Sequence, residues 1–212
     1  MPAKVKICGV TRPGDADLAV ASGAWALGLN FFAESPRRAD LETAAEIATT
    51  HRRRVEVAGV FVNAPLDEVL AILGSVPLTI LQFHGDEGPS YCAEAARRSG
   101  LKVMKALRAK DAHAVQALSP YKTDFHMLDA YVPGTYGGTG ERFDWELAAA
   151  HRGRPPLVLS GGLTPENVGE ALAIAHPWGV DVASGVEAAP GVKDPDRLRR
   201  FFEAVEQAAA PA

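Results

Sequence analysis

Polar residues stand at the ends of short apolar runs along this sequence, where they could do chemistry. They are Lys6, Cys8, Asn30, Asn63, Gln82, His84, Lys105, Arg108, Asp129, Ser160, Asp181 and Ser184. The beginnings of the same runs carry nothing comparable. If the runs are parallel strands, their carboxyl ends share one edge of the sheet, and we expect these side chains to line a catalytic mouth.

Glycine clusters follow the last three of these runs. Backbone N–H groups without side chains can approach a phosphate closely, and a helix N-terminus adds favourable partial charge. In a barrel of eight strand–helix units, the loops after the seventh and eighth strands commonly bind phosphate. We therefore expect these glycine clusters to bind phosphate rather than only to form tight turns. The expected phosphate-binding residues are Gly138, Gly140, Ser160, Gly161, Gly162, Ser184 and Gly185.

Strand-like and helix-like patterns alternate from end to end. Runs rich in Val, Leu, Ile and aromatic residues predict strands at Val5–Val10, Trp25–Phe32, Val55–Val62, Leu78–Phe83, Lys102–Leu107, Phe125–Tyr131, Pro156–Leu159 and Gly179–Ala183. The helical patterns between them are Asp15–Ser22, Leu41–His51, Pro65–Leu73, Ser90–Ser99, Asp111–Leu118, Asp144–His151, Pro165–Ala175 and Asp196–Ala209.

Eight strand–helix units favour an α/β fold of one closed (β/α)8 barrel, the TIM barrel, with right-handed crossovers. An open doubly wound sheet is the alternative. The first strand is followed by Gly9-Val10-Thr11-Arg12-Pro13-Gly14, which does not match the glycine pattern of a dinucleotide-binding sheet. We expect one domain over residues 1–212, with a frayed tail from about residue 208.

The composition of the chain argues against nucleic acid and membranes as binding partners. The chain has 212 residues and a formal net charge of −4, without the basic surface that nucleic acid would require. No apolar run is long enough to span a membrane, and the first residues do not look like a secretory signal. Two cysteines, Cys8 and Cys92, indicate a cytoplasmic protein with free thiols, and we assign Cys92 to the core.

Several segments, taken together and in order, resemble the phosphoribosylanthranilate isomerase family of tryptophan biosynthesis. They are Lys6-Ile7-Cys8-Gly9, Gly59–Asn63, Leu81–Gly85, Leu128-Asp129, Gly137–Gly140, Phe143-Asp144-Trp145, Leu159–Leu163, Pro165–Val168 and Asp181–Glu187. They span nearly the whole chain. The resemblance implies a (β/α)8 barrel that carries out an Amadori rearrangement of N-(5′-phosphoribosyl)anthranilate, without cofactor or metal. The sequence leaves a monomer and a homodimer both open.

The resemblance also implies roles for individual residues. Cys8 corresponds to the general base of the family and Asp129 to its general acid. Arg37 corresponds to the arginine that recognises the anthranilate carboxylate, although Arg38 is adjacent and either could serve. His84 and Asp181 match other polar positions of the pocket, and we expect both to bind substrate.

Two groups on opposite sides of the sugar suit this reaction, which needs one proton given to the ring oxygen and one taken from C2. Cys8 must act as a thiolate. Lys6 lies two residues earlier and therefore on the same face of the strand. We expect this cation to lower the pKa of the thiol.

Other phosphosugar barrels are the rival interpretations. The histidine-pathway isomerase that performs the same rearrangement resembles two half-barrel repeats with an aspartate on strand one, whereas this chain has Cys8 there and no half-barrel repeat. A second activity on that substrate stays open. A metal-dependent pentose-phosphate epimerase would need histidine and aspartate ligands on several strands. A non-catalytic phosphate-binding barrel would keep the glycines but would not need both Cys8 and Asp129.

Overall fold

The computed structural model describes residues 2–109, 112–130, 145–151 and 155–209, and these form a closed barrel of eight parallel strands in sequence order. The barrel strands are β1 (Lys4–Cys8), β2 (Ala26–Asn30), β3 (Glu56–Phe61), β4 (Ile80–Phe83), β5 (Lys102–Ala109), β6 (Phe125–Ala130), β7 (Leu157–Leu159) and β8 (Gly179–Val182). Strand β8 pairs with β1, which closes the barrel and confirms the predicted (β/α)8 fold.

A helix follows each strand. The helices are α1 (Pro13–Ala21), α2 (Leu41–His51), α3 (Leu66–Leu73), α4 (Pro89–Ser99), α5 (Ala112–Ala117), α6 (Trp145–Ala149), α7 (Val168–Ala175) and α8 (Pro195–Ala208). Local chemistry sets several boundaries. The Asp194 carboxylate caps α8 by accepting from the backbone N–H of Asp196 and Arg197, and Pro195 opens the first turn.

Helix α7 begins three residues later than the sequence pattern predicts. The Asn167 side chain accepts from the backbone N–H of Thr164 and donates to the carbonyl of Gly162. These bonds hold Thr164–Asn167 in a turn against the preceding glycine loop. The predicted start at Pro165 is therefore wrong.

A short hairpin after β8 was not predicted. A 3-10 turn at Ser184–Val186 leads into β9 (Glu187–Ala189), which pairs antiparallel with β10 (Val192–Lys193). Thr11 donates to the carbonyl of Gly191 in the bend, which ties the hairpin to the loop after β1. The hairpin therefore lies at the same end of the barrel as the carboxyl ends of the strands.

The barrel interior is filled by side chains spaced two apart along each strand, because alternate residues share a face. One apolar cluster inside the barrel contains Ala58, Ile80, Met104, Ala106, Phe125, Met127 and Val158, with Trp25 packed against it. A larger apolar cluster joins the outer faces of the strands to the helices. Farther along the strands, the inward residues become polar.

Across the described residues, no helix is both long and apolar enough to cross a bilayer. Helix α8 ends at Ala208. Residues 210–212 lie outside the described part of the chain, so the fraying of the tail stays a prediction.

Candidate active site

A cavity of about 510 Å³ opens at the carboxyl ends of the strands. It brings together the residues expected to act on or bind a substrate, namely Cys8, Arg37, His84, Asp129 and Asp181, with Ser160, Gly161, Gly162 and Ser184 beside them. Arg37 lines this cavity and Arg38 does not, which favours Arg37 where the sequence left both open. Gly138 and Gly140 lie outside the described residues.

A buried ion pair lies beside the cavity, which one of its members, Asp181, lines. The Lys6 amine donates to Asp181 Oδ1 at 2.7 Å, and the Ser160 hydroxyl donates to Asp181 Oδ2 at 3.0 Å. Burial alone would lower the pKa of Lys6, but the Asp181 carboxylate and the nearby Cys8 outweigh it and raise the pKa. Lys6 is therefore charged, and Asp181 holds it against β8.

The Cys8 thiol lies next to this pair at the end of β1. Its strand partner on β2 is Gly28, and a Cβ atom there would lie 2.8 Å from Cys8 Sγ and 2.9 Å from Lys6 Nζ. Glycine at this position gives both side chains the room to point into the barrel. Gly28 is a residue of the site that the sequence reasoning missed.

The pKa of Cys8 is raised above its ordinary value, although Lys6 acts on it in the expected direction. Burial raises it first and the Asp181 carboxylate raises it further, while Lys6 lowers it by less. The expected lowering by Lys6 is present, but burial and Asp181 outweigh it, so the net pKa is raised. Both causes depend on the closed barrel, which buries the thiol and brings Asp181 to the same lysine.

Asp129 enters the cavity from the end of β6. It is buried, and its Oδ2 atom lies 3.0 Å from His84 Nε2. His84 follows β4, and its Nδ1 atom lies 3.2 Å from the amide nitrogen of Gln82. The three side chains form a line that runs from the barrel interior to the cavity.

Arg37 is held by the hairpin on the far side of the mouth. Its Nε donates to Glu187 at 3.0 Å and its NH2 at 2.8 Å. Lys193 donates to Glu187 Oε1 at 2.8 Å and to the carbonyl of Cys8 at 2.6 Å. Burial works against the Glu187 charge, but hydrogen bonds and charge from Arg37 and Lys193 hold the pKa of Glu187 below its ordinary value.

Neither Glu187 nor Lys193 was predicted as a site residue. The feature of the sequence that could have indicated the hairpin is Gly191, which lies between them, because glycine is favoured in tight turns. In the structure Gly191 has φ +78°, a conformation that favours glycine.

The glycine loops after β7 and β8 differ in how they use glycine. Gly161 and Gly162 have φ values of 94° and 64°, so the chain turns with backbone uncovered beside the cavity. At Gly185 a Cβ atom would lie 1.9 Å from the carbonyl oxygen of Leu163, so this glycine lets the two loops pack together. The Ser160 hydroxyl donates its hydrogen to Asp181.

The comparisons with known proteins agree with this geometry. A family model described as N-(5′-phosphoribosyl)anthranilate (PRA) isomerase matches residues 5–204.

The chain belongs to the PRA isomerase family.

Its relatives in the PRA isomerase family cover almost the whole chain. The isomerase of Citrifermentans bemidjiense is 49% identical over 199 residues, 94% of this chain and 95% of that protein. The crystal structure of the isomerase from Thermotoga maritima has a TM-score of 0.88 and 37% identity, and covers 97% of this chain and 99% of that one. A further PRA isomerase structure, with reduced 1-(o-carboxyphenylamino)-1-deoxyribulose 5-phosphate bound, has a TM-score of 0.84 and 36% identity over 97% and 99% of the two chains.

Proposed function

We propose that this isomerase converts N-(5′-phosphoribosyl)anthranilate to 1-(2-carboxyphenylamino)-1-deoxyribulose 5-phosphate in tryptophan biosynthesis, with Asp129 as the acid and Cys8 as the base. The observation that carries the proposal is the position of these two side chains in one cavity. Cys8 ends β1 and Asp129 lies near the end of β6, so β7 and β8 separate them around the barrel. A sugar between them would present different faces to the two groups.

The proton transfers follow from that placement. Asp129 gives its proton to the ribose ring oxygen, and the bond from C1 to that oxygen breaks as the aryl nitrogen lone pair forms the Schiff base. The Cys8 thiolate then takes the proton from C2, and those electrons move through C1 to the nitrogen to give an enolamine. Tautomerisation of the enolamine gives the ketone. In that last step C1 gains a proton and the hydroxyl on C2 loses one, whereas each of the first two steps moves one proton between a positioned side chain and substrate.

Lys6 and Asp181 support the base in this scheme. The charged Lys6 stabilises the thiolate, although burial and Asp181 together keep the thiol pKa above its ordinary value. Cys8 is thus a stronger base once ionised, because a conjugate acid of higher pKa binds the proton more tightly. The arrangement lowers the fraction of Cys8 that is ionised and makes the thiolate a stronger base.

Binding is assigned to the two ends of the substrate. Arg37, whose guanidinium is fixed on one edge by Glu187, has further N–H groups for the anthranilate carboxylate. The uncovered backbone at Gly161 and Gly162, with Ser184 opposite, is suited to the phosphate. His84 and Asp181 line the same cavity and complete the binding residues.

One assay tests the roles of acid and base. The consumption of the fluorescent substrate is followed for the wild type, Cys8→Ala and Asp129→Ala, with Cys92→Ala as the control for a buried cysteine outside the cavity. We expect kcat to fall at least ~100-fold in the first two variants, since positioned acid–base groups contribute 10²–10⁴-fold. Turnover close to wild type in either one would remove that residue from its role.

A further inference from the structure

We propose that Gln82 is a positioning residue that fixes which ring nitrogen of His84 carries the hydrogen, and thereby places the acid proton of Asp129 on Oδ1. The inference rests on the proposed function only for its kinetic consequence. The arrangement itself concerns three side chains in contact, Gln82, His84 and Asp129.

Gln82 is an unusual residue for the interior of this barrel. It is fully buried on β4, two residues before His84 and on the same face. Its amide nitrogen lies 3.2 Å from His84 Nδ1 and 3.5 Å from the sulfur of Met127. Its Oε1 atom is buried and has no hydrogen-bond partner among the residues that the structure describes.

The orientation of the amide follows from counting donors and acceptors. As it stands, one amide hydrogen of Gln82 faces His84 Nδ1 and the other faces the Met127 sulfur, and only the oxygen is left without a partner. The reversed amide would set its oxygen beside both His84 Nδ1 and the Met127 sulfur, where it could accept only from an Nδ1–H group, and would give up the N–H contact with the sulfur. The observed orientation therefore leaves fewer buried polar groups unsatisfied.

This orientation determines the state of His84. Because Gln82 donates to Nδ1, that nitrogen carries no hydrogen in the neutral ring, and Nε2 must carry it. The Nε2–H group then donates to Asp129 Oδ2, 3.0 Å away. When Asp129 is protonated, Nε2–H donates to the carbonyl oxygen of the acid, which is a better acceptor than its hydroxyl oxygen, so Oδ2 is the carbonyl oxygen and the proton lies on Oδ1.

Asp129 could force the same tautomer by itself while it is a carboxylate, since a carboxylate only accepts. Gln82 decides the outcome when Asp129 is neutral, which is the state that must deliver a proton to substrate. Without Gln82, a neutral Asp129 could donate to a bare Nε2 instead. The proton would then be held between Asp129 and His84 and would not be presented to the ring oxygen.

The test is the tautomer of His84, read by NMR of the protein labelled with ¹⁵N in its histidine rings. The measurement is made at pH ~8.5, about two units above the ordinary histidine pKa of ~6.5. Asp129→Asn provides a neutral group in place of the acid. We expect the Nε2–H form in Asp129→Asn and a mixture of tautomers in Asp129→Asn/Gln82→Met, which keeps the volume but has no amide.

Two further variants make the result decisive. Met127→Leu in the Asp129→Asn background removes the other contact of the amide, and we expect it to keep the Nε2–H form. Gln82→Glu replaces the donor by an acceptor and should put hydrogen on Nδ1, which remains readable if Gln82→Met fails to fold. A bare Nδ1 in Gln82→Glu, an Nδ1–H form in Asp129→Asn, or a tautomer unaffected by Gln82→Met would overturn the proposal.

The kinetic consequence is a lower kcat with little change in KM. In Gln82→Met we expect kcat to fall roughly 10-fold, less than the 10²–10⁴-fold contribution of a positioned general acid because Asp129 itself remains, while KM stays within about twofold. A rise in KM at constant kcat would mean that Gln82 only shapes the pocket. If the wild type does not turn over the substrate, the proposed function fails while the NMR result still decides the role of Gln82.

Discussion

The two ends of the barrel interior are filled by different kinds of side chain. Toward the amino ends of the strands it is filled by Met104, Phe125 and their apolar neighbours, with Trp25 below them. Toward the carboxyl ends it holds the buried ion pair Lys6–Asp181 and the contact between half-buried His84 and buried Asp129. One step of two residues along a strand separates the two regions, as from Met127 to Asp129, so the same strand supplies both packing and chemistry.

The two ends of the barrel interior are therefore stabilised by different interactions. Apolar side chains gain stability from burial alone, whereas each buried charge at the mouth depends on a specific partner. We therefore expect substitutions at the amino end to lower stability and leave kinetics unchanged. Substitutions at the mouth should change kinetics, and should lower stability only when they leave a charge without its partner.

The largest effect is expected from Lys6→Met. It leaves Asp181 buried without its cation, so the free energy of unfolding should fall by about 3–5 kcal/mol. It also removes the one neighbour on β1 that lowers the Cys8 pKa, so that pKa should rise further. Urea denaturation measures the first effect and the pH dependence of thiol alkylation the second.

Lys102→Met is the matched control, because Lys102 pairs with Glu56 at the surface of the same barrel. An exposed pair contributes about 0–1 kcal/mol, so this variant should unfold close to the wild type. Equal losses in both variants would mean that the Lys6 pair is not distinguished by its burial. A Cys8 pKa unchanged in Lys6→Met would show that the lysine does not act on the thiol.

Phe125→Ala tests the apolar end. The ring packs against Trp25 and Trp178 with centroids 5.1 and 5.3 Å apart, and its removal leaves a cavity. We expect a loss of about 3 kcal/mol in the free energy of unfolding, with kcat and KM within about twofold of the wild type. A large change in kcat for the folded variant would contradict the separation between the two ends.

Gly28→Ala introduces a single methyl group at the mouth. Its Cβ would displace Cys8 Sγ or Lys6 Nζ, both within 2.9 Å of it, so kcat should fall on the order of 10-fold. Gly14→Ala is the control, since nothing lies within 4 Å of that position in α1. If Gly28→Ala keeps full activity, the thiol tolerates displacement and its placement against β2 is not critical.

The sequence predicts features that repeat along the chain, but not features that depend on contacts between residues far apart in the chain. The barrel follows from eight alternating patterns, and the strand ends correctly place Cys8, His84, Asp129 and Asp181 in one cavity. The hairpin that holds Arg37 has no such pattern, because Glu187 and Arg37 lie 150 residues apart in the chain.

The net direction of the Cys8 pKa could not be predicted for the same reason, because burial, its largest cause, follows from the fold. The spacing of Lys6 and Cys8 is visible in the sequence, but the pairing of Lys6 with Asp181, 175 residues later, exists only in the closed barrel. Local spacing therefore identifies which side chains share a face, while the electrostatics of the site depend on strands that meet when the barrel closes.

The smallest expected effect lies outside the barrel interior, where His126 at the start of β6 meets His151 after α6. Their Nδ1 and Nε2 atoms are 3.1 Å apart, and the other ring nitrogen of His126 lies 3.0 Å from the carbonyl oxygen of Tyr121. Burial lowers the pKa of both histidines, and for His126 the neighbouring His151 and Lys122 add to the effect. Both rings are thus disfavoured as cations in the folded state.

Stability should therefore fall as the pH drops below ~6.5, because the unfolded chain takes up protons there before the folded chain does. Above that pH neither state binds the proton and the pair contributes no pH dependence. The slope is at most ~1.4 kcal/mol per pH unit for each histidine. Urea denaturation of the wild type and His151→Gln at pH 8 and pH 5 measures it, with exposed His113→Gln as the control. The pH dependence should shrink in His151→Gln and persist in His113→Gln, and the reverse pattern would assign the acid sensitivity to other groups.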